Sequence, residues 1–350
     1  MKKISLSVFR RSQEELFCME VTFPKLGLHF DINRVAFSVF GLDIYWYALL
    51  IMTGFVLAVL YAWRSKKAFD VKMDPLIDIV LVGLLCGIIG ARIYYVIFRW
   101  DSYNSLWEMI NIRDGGLAIY GGVIMAFISG LIMCKYIEKV EILPVFDIAA
   151  TGFLIGQGVG RWGNFMNQEA FGSKTSLPWG MYSVNTFYYE MVDGVSKKVG
   201  PTTVHPCFLY ESIWCLTGFL LLHFLSRKYY KFKGQMFLSY LVWYGLGRAW
   251  IEGLRTDSLW LVENVIKVSQ LLAILCVVIS GTLLYLGFRD LPIKLPYCKR
   301  TEKGKGIAKL GFEFCLAEIA FQPTKFWQET HSDPESIEET DSGDDASDEE

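Results

Sequence analysis

None of the eight cysteines belongs to a CxxC pair, and no histidine stands beside any of them at metal-ligand spacing. A bound metal is therefore not expected. The first forty residues lack the continuous apolar centre and the cleavage site of a secretory leader, so no removable segment is expected either. The chain shows no repeat of two halves, the usual mark of a transporter. Charged residues make up only 20% of the sequence and are unevenly placed, because residues 333–350 hold ten Asp or Glu and no Lys or Arg. With −2 on the whole chain, the body ahead of that tail carries about +8. That excess suits anionic lipid headgroups, and no nucleic-acid partner is expected.

What the sequence does have is apolar surface: 53% hydrophobic residues, 15% aromatic, and a positive mean hydropathy. Such a composition belongs to an integral membrane protein whose partner is the lipid bilayer. Seven stretches are long enough to span, at about 44–63, 76–98, 116–137, 144–163, 207–226, 236–255 and 265–288. Cys86, Cys134, Cys215 and Cys276 fall inside these runs, where a thiol acts as a small hydrophobe. The linkers "RSKKAFDVK", "KYIEK", "RKYYKFK" and "FRDLPIKLPYCKRTEKGKGIAK" are basic and by the positive-inside rule cytoplasmic. The N-terminus is then outside and the C-terminus inside. Lys2, Lys3, Arg10 and Arg11 argue the other way, but they lie some thirty residues from the first span.

The expected fold is all-α and polytopic, about seven transmembrane helices with a small extracytoplasmic cap. Residues 1–43 form an N-terminal arm and 44–290 the membrane domain. The cap is inserted at about 164–205, where Pro, Gly, β-branched and aromatic residues suit short strands. The arm alternates weakly and either lies on the membrane surface or pairs with that cap. A basic cytoplasmic segment (291–322) and an acidic, disordered tail (323–350) follow.

Six polar stretches map to the outer half of the membrane: "IYWY" (44–47), "GARIYY" (90–95), "RDGGLAIYGG" (113–122), "GRWGNFMNQE" (160–169), "HPCFLYE" (205–211) and "GRAWIEGLR" (247–255). Charge at such depth costs about 2.5–3.5 kcal/mol per residue on insertion scales, so one shared site is expected. Arg248, Glu252 and Arg255 share one helical face, with Arg248 roughly 10 Å deeper than Arg255. They read either as an internal ion pair with Arg255 reaching to the interface, or as a fork of donors for phosphate. Arg161, Asn164 and Gln168 share another face, and Gly156, Gly160 and Gly163 allow close approach of a backbone or a lipid. Tyr120 projects from a glycine-bracketed helix opening, His205 precedes Pro206 at a helix start, Arg92 snorkels or binds, and Glu211 reads as a partner for a neighbouring arginine.

"GRWGNFMNQEAFG" resembles the signature G-R-x-G-N-F-x-N-x-E-x-x-G of the bacterial prolipoprotein diacylglyceryl transferases, and the flanking "GGLAIYGG", "HPCFLYE" and "GRAWIEGLR" resemble that family's other motifs in the same order. The resemblance covers about 41–290. It implies an inner-membrane enzyme that moves the diacylglyceryl group of phosphatidylglycerol to the lipobox cysteine of a preprolipoprotein signal peptide and needs no cofactor. It also implies site residues at Tyr47, Tyr120, Arg161, Asn164, Glu169, Gly172, Arg248 and Glu252, to which the polar map adds Asn167, His205, Arg255 and Arg92. Family members often carry His where this chain has Tyr120, so a histidine base there is in doubt. A transporter or flippase, or a membrane scaffold, is the competing reading. Polar groups gathered toward one side argue against the first, and deep Arg and Glu against the second.

Overall fold

The computed structural model describes residues 18–103, 105–112, 115–192, 195–256, 260–262, 266–289, 293–300, 312–319, 322–325 and 327–328. The basic N-terminal residues, Arg113 and Asp114, residues 301–311 of the basic segment and residues 329–350 of the acidic tail lie outside them. Two compact units form, one from the described parts of Met1–Ala62 and Ala149–Glu350, the other from those of Trp63–Ile148.

Four strands come first among the described residues, β1 (Cys18–Phe23), β2 (Leu28–Asn33), β3 (Val35–Val39) and β4 (Leu42–Tyr45), and long helices follow. These are α1 (Trp46–Ser65), α2 (Met73–Phe98), the short α3 (Leu106–Ile110), α4 (Ile119–Ile132, extended by a π-turn over Met133–Ile137) and α5 (Ile142–Asn167). After the short strands β5 (Tyr182–Ser183), β6 (Tyr188–Val192) and β7 (Val195–Val199) come α6 (Cys207–Lys228) and α7 (Gln235–Leu254). The chain continues through β8 (Trp260–Val262), β9 (Ile266–Lys267), α8 (Val268–Phe288), β10 (Ile293–Arg300) and β11 (Phe312–Ile319). Each of the seven expected runs contains a long helix, so the chain is a mostly helical, polytopic membrane protein. Among the described residues six of the seven, all but α7, are both long and apolar enough to cross a membrane. α7 carries Arg248 and Glu252 in its second half, and these lower its apolar character.

In the first unit the segment after α5 folds as short strands. β1 pairs antiparallel with both β2 and β5, which joins the N-terminal arm to that segment. Val21, Phe23, Ile32, Phe165, Phe171, Met181, Val204 and Phe208 form one buried core there, bringing together β1, β2, the end of α5 and the start of α6. Burying side chains of this kind is worth about 1.5–3 kcal/mol each for the larger ones. α1 meets α5 where Gly54 faces Gly156, and an added Cβ on Gly54 would come within 3.1 Å of the Gly156 backbone. Close crossings of this type hold helices together where lipid removes the hydrophobic incentive. In the second unit α2 and α4 cross the same way at Gly90 and Gly121.

One boundary differs from expectation. Residues 322–325, the last three of them assigned to the disordered tail, are held by the turn between α6 and α7. Lys233 N–H donates to the Gln322 carbonyl at 3.0 Å and Thr324 N–H to the Lys231 carbonyl at 2.9 Å, while the Thr324 hydroxyl donates to the Tyr230 carbonyl. Thr324 is buried. The low apolar content that suggested disorder misses this because the hold is made by backbone pairing and one hydroxyl. Ending the chain after 328 should leave the thermal midpoint unchanged, whereas ending it after 319 should lower it by about 2–5 °C. Equal melting curves for the two truncations in detergent would sink this clasp.

Candidate active site

Three helices deliver the polar cluster, and bonds from side chain to backbone fix their register. Trp214 on α6 and Trp243 on α7 each donate an indole N–H to the other's carbonyl at 2.9 Å, their rings stacked 4.4 Å apart. Ser212 on α6 donates to the Gly158 carbonyl on α5 at 2.8 Å and accepts from the Trp162 indole at 3.2 Å. Glu211, beside these locks, is only 5% exposed and becomes the hub. Arg161 Nη2 lies 2.5 Å from its Oε2, while Arg248 Nη1 and Arg255 Nη1 lie 3.5 and 3.7 Å from its Oε1.

Arg248 turns its other amino group to Glu252, with Nη2 2.7 Å from Oε2, and the second Glu252 oxygen accepts the Ser269 hydroxyl at 2.5 Å. The internal pair expected as one alternative thus forms. Arg255 does not reach outward as that alternative required; it turns to Glu211. Three guanidinium groups thus gather on two carboxylates. A developing anion here meets donors already in place.

α5 ends in a Schellman motif that sets the next carboxylate. Gln168 N–H donates to the Phe165 carbonyl and Glu169 N–H to the Asn164 carbonyl, both at 3.1 Å, with Gln168 left-handed at φ +53°. Glycine is usual at that position because a Cβ disfavours the conformation. Here the Gln168 side chain is buried and its oxygen accepts from the Ser183 hydroxyl and from Asn185 Nδ2 at 3.1 Å, which offsets the backbone cost. Gln168 therefore does not share a helical face with Arg161 and Asn164 as expected; it leaves the helix and ties it to the strands beyond.

The reversal carries Glu169 back over the last turn, where Asn164 Nδ2 and Asn167 Nδ2 donate to its Oε1 at 3.0 and 3.3 Å. The Asn164 oxygen accepts from Arg161 Nη1 at 3.4 Å, so one amide links the arginine cluster to Glu169. Glu169 is exposed and, with Arg34, Tyr45, Tyr47, Ala48 and Asn167, lines a cavity of about 390 Å³. The Tyr47 ring seats on Gly163, where a Cβ would come within 2.6 Å of a ring carbon. Of the three glycines singled out on α5, Gly156 serves a helix crossing, Gly163 serves Tyr47, and Gly160 faces open space.

Gly172 marks a junction of three chain segments. Its N–H donates to the His205 carbonyl at 2.9 Å, Ser173 N–H donates to the Leu254 carbonyl at 2.7 Å, and Gly172 bridges Arg255. A Cβ there would lie 2.7 Å from His205 Cβ, 2.9 Å from Cys207 Sγ and 3.1 Å from the Leu254 carbonyl. Gly172→Ala should cost about 1–3 kcal/mol by overpacking and displace Arg255. A variant with unchanged melting and activity would show that the junction yields. His205 Nδ1 lies 3.1 Å from the Tyr210 hydroxyl, which also accepts from the Trp179 indole at 2.8 Å. Burial pushes His205 below the usual histidine range, in keeping with a neutral ring.

Arg92 and Tyr120 belong to the second unit. Arg92 is buried and directs four of its five N–H donors to backbone carbonyls: Nε to Met109, Nη1 to Gly115 and Gly116, all at 2.8 Å, and Nη2 to Glu108 at 2.6 Å. It neither snorkels nor has more than one donor left for a ligand; it holds the loop that leads into α4. Gly115 and Gly116 are left-handed, at φ +84° and +80°, which glycine alone adopts readily. Tyr120, in the first turn of α4, is 52% exposed.

Residues 34–286 match the prolipoprotein diacylglyceryl transferase family. The chain belongs to that family. It is 42% identical over 264 residues to the phosphatidylglycerol-prolipoprotein diacylglyceryl transferase of Finegoldia magna, covering 75% of this chain and 98% of that protein. The enzymes of the same name from Clostridioides difficile and Staphylococcus aureus are each 41% identical, over 248 and 262 residues, and are 92% and 91% covered.

Several residues that build the site in this family member escaped the sequence. Glu211 was legible as a partner for an arginine, but not as the partner of three. Lys267 is buried, its Nζ donating to the Glu252 and Arg255 carbonyls at 2.6 and 2.7 Å, which caps α7 at its negative end. Its only sequence signal is a lysine at the head of an apolar run. Ser269 and Arg34 carried no signal at all.

Proposed function

We infer that this protein transfers the diacylglyceryl group of phosphatidylglycerol to a prolipoprotein, the first step of lipoprotein maturation. The observation that carries the chemistry is the arginine cluster on Glu211, joined through Asn164 to an exposed carboxylate, Glu169. The acceptor is the lipobox cysteine of the signal peptide. Its thiol has an ordinary pKa near 8.5 and reacts as thiolate. Glu169, reachable from the cavity, takes the thiol proton. The sulfur then attacks the glyceryl carbon beside the phosphate, a C–S bond forms, and the C–O bond breaks. Glycerol phosphate leaves with one more negative charge.

Arg161 and Arg248 bind that phosphate, Arg255 adds charge, and Glu211 and Glu252 orient the guanidinium groups. Asn164 and Asn167 position Glu169, Tyr47 shapes the cavity, and Gly172 seats Arg255. Tyr120 acts as a hydrogen-bond donor through its phenol hydroxyl. His205, neutral, stands as a second proton acceptor. Arg92 holds its loop. In the cell the protein lies in the inner membrane with α7 as the seventh span, the N-terminus and the strand segment outside, and the C-terminus in the cytoplasm; the four basic linkers support this orientation. The test combines the purified protein, phosphatidylglycerol and a lipobox peptide. A thioether-linked diacylglyceryl peptide and released glycerol phosphate are expected, and the absence of both would defeat the reading.

A further inference from the structure

Arg34 lies outside the arginine cluster and outside every motif of the sequence. It occupies the bend between β2 and β3, and its carbonyl accepts from the Trp46 N–H at 3.0 Å, which pins it to the head of α1. Its Nη2 donates at 2.9 Å to the carbonyl of Asn167, the last residue of α5, where the helix end is partially negative. The Nε–H is buried and has no hydrogen-bond partner among the described residues. A guanidinium cannot shed its proton, and a buried donor without an acceptor is costly to keep. Among the residues lining the 390 Å³ cavity, Arg34 is the cation and Glu169 the carboxylate.

We propose that Arg34 is a further anion-binding residue, and that the cavity it lines receives the phosphoglycerol group, either as the lipid headgroup or as released glycerol phosphate. The proposal rests on the transfer reaction argued above. Glu211, Arg161, Asn164 and Glu169 form a continuous polar path from the buried cluster to this cavity. A phosphate that moves along it meets Arg34 as the next guanidinium. Charge changes in step with chemistry: once Glu169 holds the thiol proton it no longer repels the phosphate, just as the phosphate gains its extra charge. Arg34 is a binding residue in this scheme and forms no bond.

The test uses the full chain with Arg34→Gln and Arg34→Lys. In Arg34→Gln the inhibition constant for added glycerol phosphate should rise about tenfold or more, the usual scale for a lost charge-assisted bond, with kcat within a few-fold of wild type. Arg34→Lys should lie between the two. A parallel rise in KM for phosphatidylglycerol assigns the cavity to the lipid headgroup, and an unchanged KM assigns it to the free product. Binding of glycerol phosphate to the resting protein, measured by calorimetry, separates this idea from the transfer reaction. Binding lost in Arg34→Gln supports the site even if no transfer is seen. Unchanged inhibition and unchanged binding in both variants overturn it, and a lowered melting point alone reduces Arg34 to a cap on α5.

Discussion

Glu211→Gln is expected to abolish transfer and to lower stability by about 3–5 kcal/mol, the usual cost of breaking a buried ion pair from one side. Gln matches Glu in shape, so the change isolates charge. Three guanidinium groups then face an amide. Arg161 loses a partner at 2.5 Å, and Arg248 and Arg255 lose contacts at 3.5 and 3.7 Å. One negative charge is removed from among three cations, in a place where water does not easily screen it. Free of their common hub, the arginines turn toward solvent or toward Glu169, and the phosphate site is dispersed. Glu211→Asp keeps the charge at a shorter reach and should recover part of the stability. A Glu211→Gln protein that melts like wild type would show that the three cations are held by something else.

The helical part of the fold was legible because each long helix falls in one of the seven expected runs and has a basic linker at one end. The strand pairing between the N-terminal arm and the segment after α5 was open in the sequence. Weak alternation in "KLGLHFDINRV" says that a strand can form; the partner depends on a core shared by Val21, Phe165 and Val204, which are distant in the chain. Of the site, the residues on one element could be read from spacing, as with Arg248 and Glu252. Residues that meet across elements could not. Arg255 was open between reaching to the interface and joining a fork for phosphate, because its own helix says nothing of Glu211 on α6. Gln168 was placed on a helical face because no glycine announced that α5 stops one residue earlier. Arg92 was left open between snorkelling and binding substrate, because the carbonyls it serves belong to a loop whose course no motif describes. Lys267 and Arg34 act on backbone carbonyls, which every sequence contains, so no side-chain pattern marks them.

Arg248→Lys is expected to lower kcat/KM by about 10²–10³-fold, the scale for losing one preorganised donor to a developing oxyanion, while leaving stability nearly intact. Lysine keeps the positive charge, so Glu211 and Glu252 remain compensated, in contrast to Glu211→Gln. What it loses is the planar fork. Arg248 reaches Glu252 with one amino group at 2.7 Å and Glu211 with the other at 3.5 Å, and a single ammonium cannot hold both and still face a phosphate. The loss should fall mainly on kcat, because the added charge on glycerol phosphate exists only once the C–O bond is breaking. Glu252→Gln acts on the same guanidinium by freeing its Nη2, so its effect should be strongly non-additive with Arg248→Lys in a double-mutant cycle. If the two losses simply add, Arg248 and Glu252 work independently and the fork is not the unit that binds phosphate. If Arg248→Lys raises KM alone, the arginine holds the lipid equally before and during reaction, and stabilisation of the leaving group passes to Arg161 and Arg255.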